Sequence, residues 1–236
     1  NGREIDREEV RSCIEVFVVM GLCQSRLCKN VKSVQEMLKM KQDLSIYEGH
    51  FETQFIESTA TYYRTQSALW KQESVPEYLI KCERALTEEQ ERVSHYLERT
   101  TEAKLLGCVE VELLSGPQVE IVQRPNSGMY SLLMEAMIEK PLTEMPLGER
   151  EESKSAHLAR MYQLFKRKGV VLQEQPMAEV FEQFVRDEGS KLVAARKDAI
   201  KQEVAAKKKE DTKSTAMIVA MLKLYVRCEA LVKDLF

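Results

Sequence analysis

YEGHFETQFIESTATYYRTQSALWKQESVPEYLIKCERALTEEQERVSHYLERTT, residues 47–101, decides the fold. Tyr47, Phe51, Phe55, Thr59, Tyr62 and Tyr63 recur at spacings of three and four, and Ile56, Leu69 and Trp70 broaden the stripe. That period places them on one face of an α-helix. Ser74 then stands three residues before Glu77, the pattern of a capping box, and Pro76 lies in the first turn, where its missing N–H costs little. A second helix carries Tyr78, Leu79, Cys82, Leu86, Val93, Tyr96 and Leu97 on one face and Lys81, Glu83, Arg84, Glu88, Glu91 and Arg92 on the other. Thr87 with Gln90 offers a fresh cap and hence a break near residue 87. The stretch therefore reads as an amphipathic helical hairpin.

The same pattern is more specific than periodicity. Tyr47-x-x-x-Phe51-Glu52-x-x-Phe55-Ile56-x-x-Thr59, Tyr62-Tyr63, Val75-x-x-Tyr78-Leu79 and Glu88-Glu89-x-x-Arg92-Val93-x-x-Tyr96-Leu97-x-x-Thr100-Thr101 closely resemble the cullin family. Met161-Tyr162-Gln163-Leu164-Phe165 supplies a second, well-separated likeness, as does Tyr225 to Phe236. Ile5-Asp6-Arg7, Met20-Gly21-Leu22 and Asn126-Ser127-Gly128 resemble the cullins that use BTB-domain adaptors, the cullin-3 type.

Outside that stretch, Asp6 and Glu9 form a capping pair for a helix over 6–22, with Gly21 as its C-cap. Residues 23–44 depart from the family and read either as a surface insertion, tolerated at small entropic cost, or as a partner site. Residues 101–123 start a helix at Thr100 or Thr101 and break at Ser115-Gly116-Pro117. Pro125-Asn126-Ser127-Gly128 is a turn, and Met129–Ile138 a short apolar helix. Residues 139–154 read as a mobile loop. Leu158, Met161, Tyr162 and Phe165 face inward from a helix over 155–168. Ala156-His157 stands where the family is acidic, which alters the expected surface there.

One long helix spans 177–209, with Met177, Val180, Phe181, Phe184, Val185, Leu192, Ala195 and Ala199 buried. A last helix over 213–236 is apolar on two faces, which predicts thorough burial.

Composition sets the remaining bounds. The 236 residues are 44% hydrophobic and 31% charged, with nine Gly and six Pro, which suits a helical protein with a real core. A net charge of −3 favours neither nucleic acid nor an acidic membrane as partner, and no run of ~18 apolar residues forms a membrane span. The chain opens at Asn1, as expected of a piece of something longer. Cys13, Cys23, Cys28, Cys82, Cys108 and Cys228 include no C-x-x-C pair and no clustered histidine. They read as reduced structural thiols in a cytoplasmic or nuclear protein, with no metal site.

No Gly-rich phosphate loop, His-Glu-x-x-His or G-x-S-x-G occurs, so no catalytic, cofactor-binding or metal-ligating residue is assigned and no cofactor is expected. The acids Glu88-Glu89 and Glu151-Glu152 are adjacent in sequence, a spacing that points to different sides of a helix. Packing explains Cys82 and His95.

The resemblance implies an all-α fold of stacked five-helix repeats in an elongated stalk, divided as 1–123 and 124–236. It implies a non-catalytic scaffold of a multi-subunit ubiquitin ligase. Its partners are then a BTB-type substrate adaptor, bound upstream of this chain, and a RING protein with its ubiquitin-conjugating enzyme, bound through a C-terminal domain that nothing here resembles. Two other classes stay open: a helical-rod membrane-tethering subunit of the exocyst kind, and a compact helical enzyme using a thiol.

Overall fold

The computed structural model describes residues 6–24, 44–140, 145–167, 170, 176–205 and 214–235, and among these every regular element is helical. The chain divides into two compact units, one of Asn1–Gln72, Ile80–Gly116 and Lys168–Val171, the other of Glu73–Leu79, Pro117–Arg167 and Leu172–Phe236.

In the first unit, α1 spans Arg7–Gln24. Asp6 caps it as the sequence predicts, its Oδ1 accepting from the Glu8 and Glu9 amides at 3.0 and 3.2 Å. Gly21 does not end α1, which continues to Gln24; a helix tolerates an interior glycine for about 1 kcal/mol.

The second helix, α2, covers 45–70 and is α-helical over Ser45–Tyr47, π-helical over Glu48–Glu52 and α-helical again over Thr53–Trp70. The wide turn rotates the stripe predicted from a uniform period. Tyr47, Glu52, Thr59, Tyr63 and Ser67 are buried, Phe51, Phe55, Ile56 and Trp70 are half-buried, and Tyr62 and Leu69 are exposed.

The next helix, α3, spans Val75–Tyr96 and starts with the expected capping box. The Ser74 amide donates to Glu77 Oε2 (3.1 Å), and the Glu77 amide donates to Ser74 Oγ (3.4 Å). The break anticipated at residue 87 is absent: Thr87 Oγ1 donates back to the Glu83 carbonyl at 3.1 Å, satisfying itself inside an unbroken helix.

Helix α4 covers 101–115, α-helical over Thr101–Glu110 and π-helical over Val111–Ser115, where the Gly116 amide reaches the Val111 carbonyl at 3.0 Å. Neither Thr100 nor Thr101 caps it through a side chain. The core gathers Ile14 of α1, Tyr47 of α2, Val93 and Leu97 at the end of α3, and Leu105 of α4. Half-buried Phe17, Phe51 and Phe55 extend it, with Phe51 5.5 Å from both Tyr47 and Phe55, centroid to centroid.

In the second unit, Pro117 ends the run through α4, and α5 is the short Gln118–Val122. The turn that follows places Asn126 at φ 68°, a conformation asparagine tolerates. At Gly128 the backbone folds so tightly that a Cβ would lie 2.4 Å from the Arg124 carbonyl oxygen.

Helix α6 is Met129–Ile138, with Met129, Leu132, Leu133 and Ala136 buried. The segment 139–154, read from sequence as a loop, contains a one-turn helix, α7 at Leu147–Arg150. Arg150 Nε donates to the Met145 carbonyl at 2.9 Å, and Ser153 caps α8 (Lys154–Phe165) by accepting from the Ala156 amide at 3.1 Å. Leu158, Met161, Leu164 and Phe165 of α8 are buried, and so is His157, which the sequence reading left on the surface.

Helix α9 runs unbroken over Pro176–Ala205, through Gly189, but Phe184 is its deepest anchor while Val185 and Ala195 are exposed. Helix α10, Ser214–Leu235, overturns the expectation of thorough burial. Leu231 is 1% exposed, but Leu222 is 57% and Tyr225 65% exposed, with Ile218, Val219 and Val226 open as well. An apolar stripe fits a helix for burial on two faces; among the described residues α10 packs on α8 and α9 and leaves Ile218, Leu222 and Tyr225 exposed. The predicted 23–44 insertion, but for its margins, and the end of the predicted 177–209 helix lie outside the described residues.

Candidate functional site

The chemistry of the first unit lies in acids buried between helices. Glu52 is buried because the π turn carries it round to the face of Tyr47. Thr101, the first residue of α4, bridges the two: its hydroxyl donates to Glu52 Oε1 and meets Tyr47 Oη, each at 2.8 Å. Thr101 has one proton and gives it to the carboxylate, so the tyrosine donates. Lys104, one turn along α4, completes the group with its Nζ 2.5 Å from Glu52 Oε2 and 2.9 Å from Glu48 Oε1. Burial is the main cause pushing the Tyr47 phenol above its ordinary value.

A second tie joins α2 to α3. Tyr63 Oη donates to Glu89 Oε1 at 2.7 Å, and Arg92 Nη1 lies 3.1 Å from the same oxygen. Burial raises both the Tyr63 phenol and the Glu89 carboxyl. A third is on the surface, where Arg64 grips Glu112 at 2.6 and 3.1 Å through two nitrogens.

In the second unit, His157 is held neutral. Its Nδ1 accepts from Arg160 Nη1 at 3.1 Å, and burial, then the Arg160 and Lys154 charges, lower its pKa. Tyr130 Oη donates to Asp187 Oδ2 at 3.1 Å, tying α6 to α9. Arg227 of α10 donates through Nη2 to the Ala136 carbonyl at 2.7 Å and to the Glu139 carbonyl, capping the C-terminal end of α6 with a cation.

These arrangements hold helices together. Cys82 is buried, and His95, thirteen residues on along α3, is about 20 Å away by helical rise, its Nδ1 donating to the Glu91 carbonyl at 2.6 Å. Burial raises the Cys108 thiol, which donates to the Ile56 carbonyl at 3.7 Å, and likewise the Cys228 thiol; both shifts lower the nucleophilic thiolate fraction. Among the described residues no three His, Cys, Asp or Glu side chains gather to hold a metal, and no helix is long and apolar enough to cross a membrane. The sequence reading missed Glu52 and Glu89 as buried groups. Glu89 was detectable, since it lies three residues after Leu86 and four before Val93 on the apolar face.

Comparison with known proteins bears on the same segments. The model of the cullin alpha solenoid domain matches residues 1–236. Cullin-2 of Arabidopsis thaliana is 29% identical over 236 residues, which are 100% of this chain and 27% of that protein. Cullin-3A of Arabidopsis thaliana is 30% identical over 165 residues, 68% of this chain and 20% of the relative. Cullin-4A of Homo sapiens is 33% identical over 135 residues, 57% of this chain and 15% of the relative. The chain thus spans about a quarter or less of the length of these relatives, and identity at one level to three cullin types does not select the cullin-3 type. The match along its whole length, with an all-helical fold among the described residues, shows that the chain belongs to the cullin family.

Proposed function

We propose that this chain is part of the scaffold of a cullin-based, multi-subunit ubiquitin ligase, and that it works as a stiff spacer. The observation that carries the reading is the family match over all 236 residues. The buried tie at Glu52, with both carboxylate oxygens engaged, supports it, since a satisfied polar network between helices rigidifies their contact. In this reading the regions 1–123 and 124–236 are successive repeats of a stalk. The substrate adaptor, of BTB type, binds a preceding region, and the RING protein with its ubiquitin-conjugating enzyme binds a following domain. The chain itself supplies geometry, holding substrate and ubiquitin donor at a set distance in the cytoplasm or nucleus.

The test replaces residues 6–235 in the full-length protein with a flexible Gly/Ser linker. Ubiquitin transfer to an adaptor-bound substrate is expected to fall at least tenfold, while substrate-free chain formation at the RING end stays unchanged. Undiminished transfer to substrate overturns the spacer reading. Titration of a BTB adaptor into the present chain alone is expected to show no saturable heat, and saturable binding would move the adaptor site into it.

A further inference from the structure

Glu89 of α3 is 1% exposed and is reached by Tyr63 of α2. Both of its polar contacts converge on one oxygen: Tyr63 Oη and Arg92 Nη1 lie 2.7 and 3.1 Å from Oε1. Among the described residues Oε2 is buried with no hydrogen-bond partner. Glu52 is the control within the same unit, being equally deep but with both oxygens engaged, by Thr101 and Lys104. A buried carboxylate with one idle oxygen is expensive in its charged form and far less so when neutral.

The charged and titratable groups facing Glu89 do not offset that cost. From α2 comes Tyr63, a neutral donor, with Arg64 beyond it. From α4 comes Cys108, with the Arg64–Glu112 ion pair beside that thiol. On α3 itself stand Glu88, which repels, Tyr96, and Arg92, which is 37% exposed and therefore screened by water.

We infer that Glu89 is a proton-operated latch of the first unit. With the carboxyl neutral, α2 and α3 are closed on each other. When it releases its proton to solvent, the buried charge loosens the contact and draws water to Oε2. The raised carboxyl pKa, caused chiefly by burial, agrees with the geometry. The sign follows. A carboxyl with a folded pKa above its unfolded value stabilises the fold below the unfolded pKa, and that contribution is lost as pH rises through the folded one.

The experiment is carbon-13 NMR of the Glu89 carboxyl in the intact chain across pH 3–8. A midpoint above the ordinary 4.5 is expected. A midpoint at or below 4.5 overturns the inference, and this measurement needs no variant. Glu89→Gln, a fixed mimic of the neutral acid, adds a second arm. Its melting temperature relative to wild type is expected to climb as pH rises from 4 to 8. Amide exchange over residues 86–93, corrected for intrinsic rate, is expected to slow in Glu89→Gln at pH 8. Parallel melting curves, or unchanged exchange, count against the latch.

Discussion

Tyr47 and Glu52 stand five residues apart, yet both meet the single hydroxyl of Thr101 at 2.8 Å. In an unbroken α-helix residues five apart point roughly 140° away from each other. The π turn over Glu48–Glu52 brings them together, and so decides which face of α2 is buried from Thr53 onward. Such turns are frequent at functional positions. Here the wide turn sets an interhelical brace.

That brace gives the first prediction. Thr101→Val keeps shape and removes the hydroxyl that meets both the Tyr47 phenol and Glu52 Oε1, so the phenol proton loses its acceptor and that oxygen loses its donor. The cost is about 2–3 kcal/mol in a chemical denaturation titration. Thr101→Ser, which keeps the hydroxyl, is expected to retain most of the stability. Equal loss in both variants would show that the methyl group, and not the hydrogen bonds, matters.

Exposure separates the two lysine and arginine ties. Lys104→Met strips the partner from Glu52 Oε2, an oxygen of a buried acid, and is expected to lower the unfolding midpoint measurably. Arg64→Ala breaks a bidentate pair with Glu112 whose guanidinium faces solvent and is expected to leave the midpoint within error. The reverse order would mean that bidentate geometry outweighs burial at this interface.

The glycines divide in the same way. Gly128→Ala drives a Cβ against the Arg124 and Val122 backbone and is expected to cost about 1–3 kcal/mol. Gly189→Ala meets nothing within 4 Å inside α9 and is expected to stabilise by about 0.5–1 kcal/mol. Thermal unfolding of both variants checks the pair, and a destabilised Gly189→Ala would mean that α9 depends on bending there.

What the sequence disclosed follows from the range of each interaction. The Ser74–Glu77 box, the Asp6 cap and the Met129–Ile138 helix depend on residues within four positions, and all three are legible. The π turns were not, because a reading at 3.6 residues per turn runs straight through them and assigns Tyr62 and Leu69 to a face they leave. Nor was α10. Its apolar stripe states that two faces suit burial, whereas its exposure depends on which surfaces lie against it. The buried acids were hidden for a related reason, since glutamate on an apolar face is read as noise until its partners, Thr101 or Tyr63, are placed.

Helix α10 is tested by truncation along its length. Leu231→Ala empties a buried site and is expected to cost about 2–5 kcal/mol. Leu222→Ala and Tyr225→Ala, on the open face, are expected to stay within about 0.5 kcal/mol of wild type. A large loss at Leu222 would show that the face is covered in solution.

His157 supplies the last prediction, opposite in sign to Glu89. Burial and the neighbouring Arg160 and Lys154 lower its pKa from 6.5, so the folded state resists protonation that the unfolded chain accepts. The unfolded state then binds more protons between the lowered folded value and 6.5, and stability falls as pH drops through that window. Melting temperature is expected to decline from pH 7 toward pH 5. In His157→Gln, whose amide oxygen still accepts from Arg160, the decline is expected to be shallower. An imidazole NMR midpoint at or above 6.5 would remove the basis for this prediction. A depressed midpoint with an unchanged slope in the variant would assign the acid sensitivity to other groups.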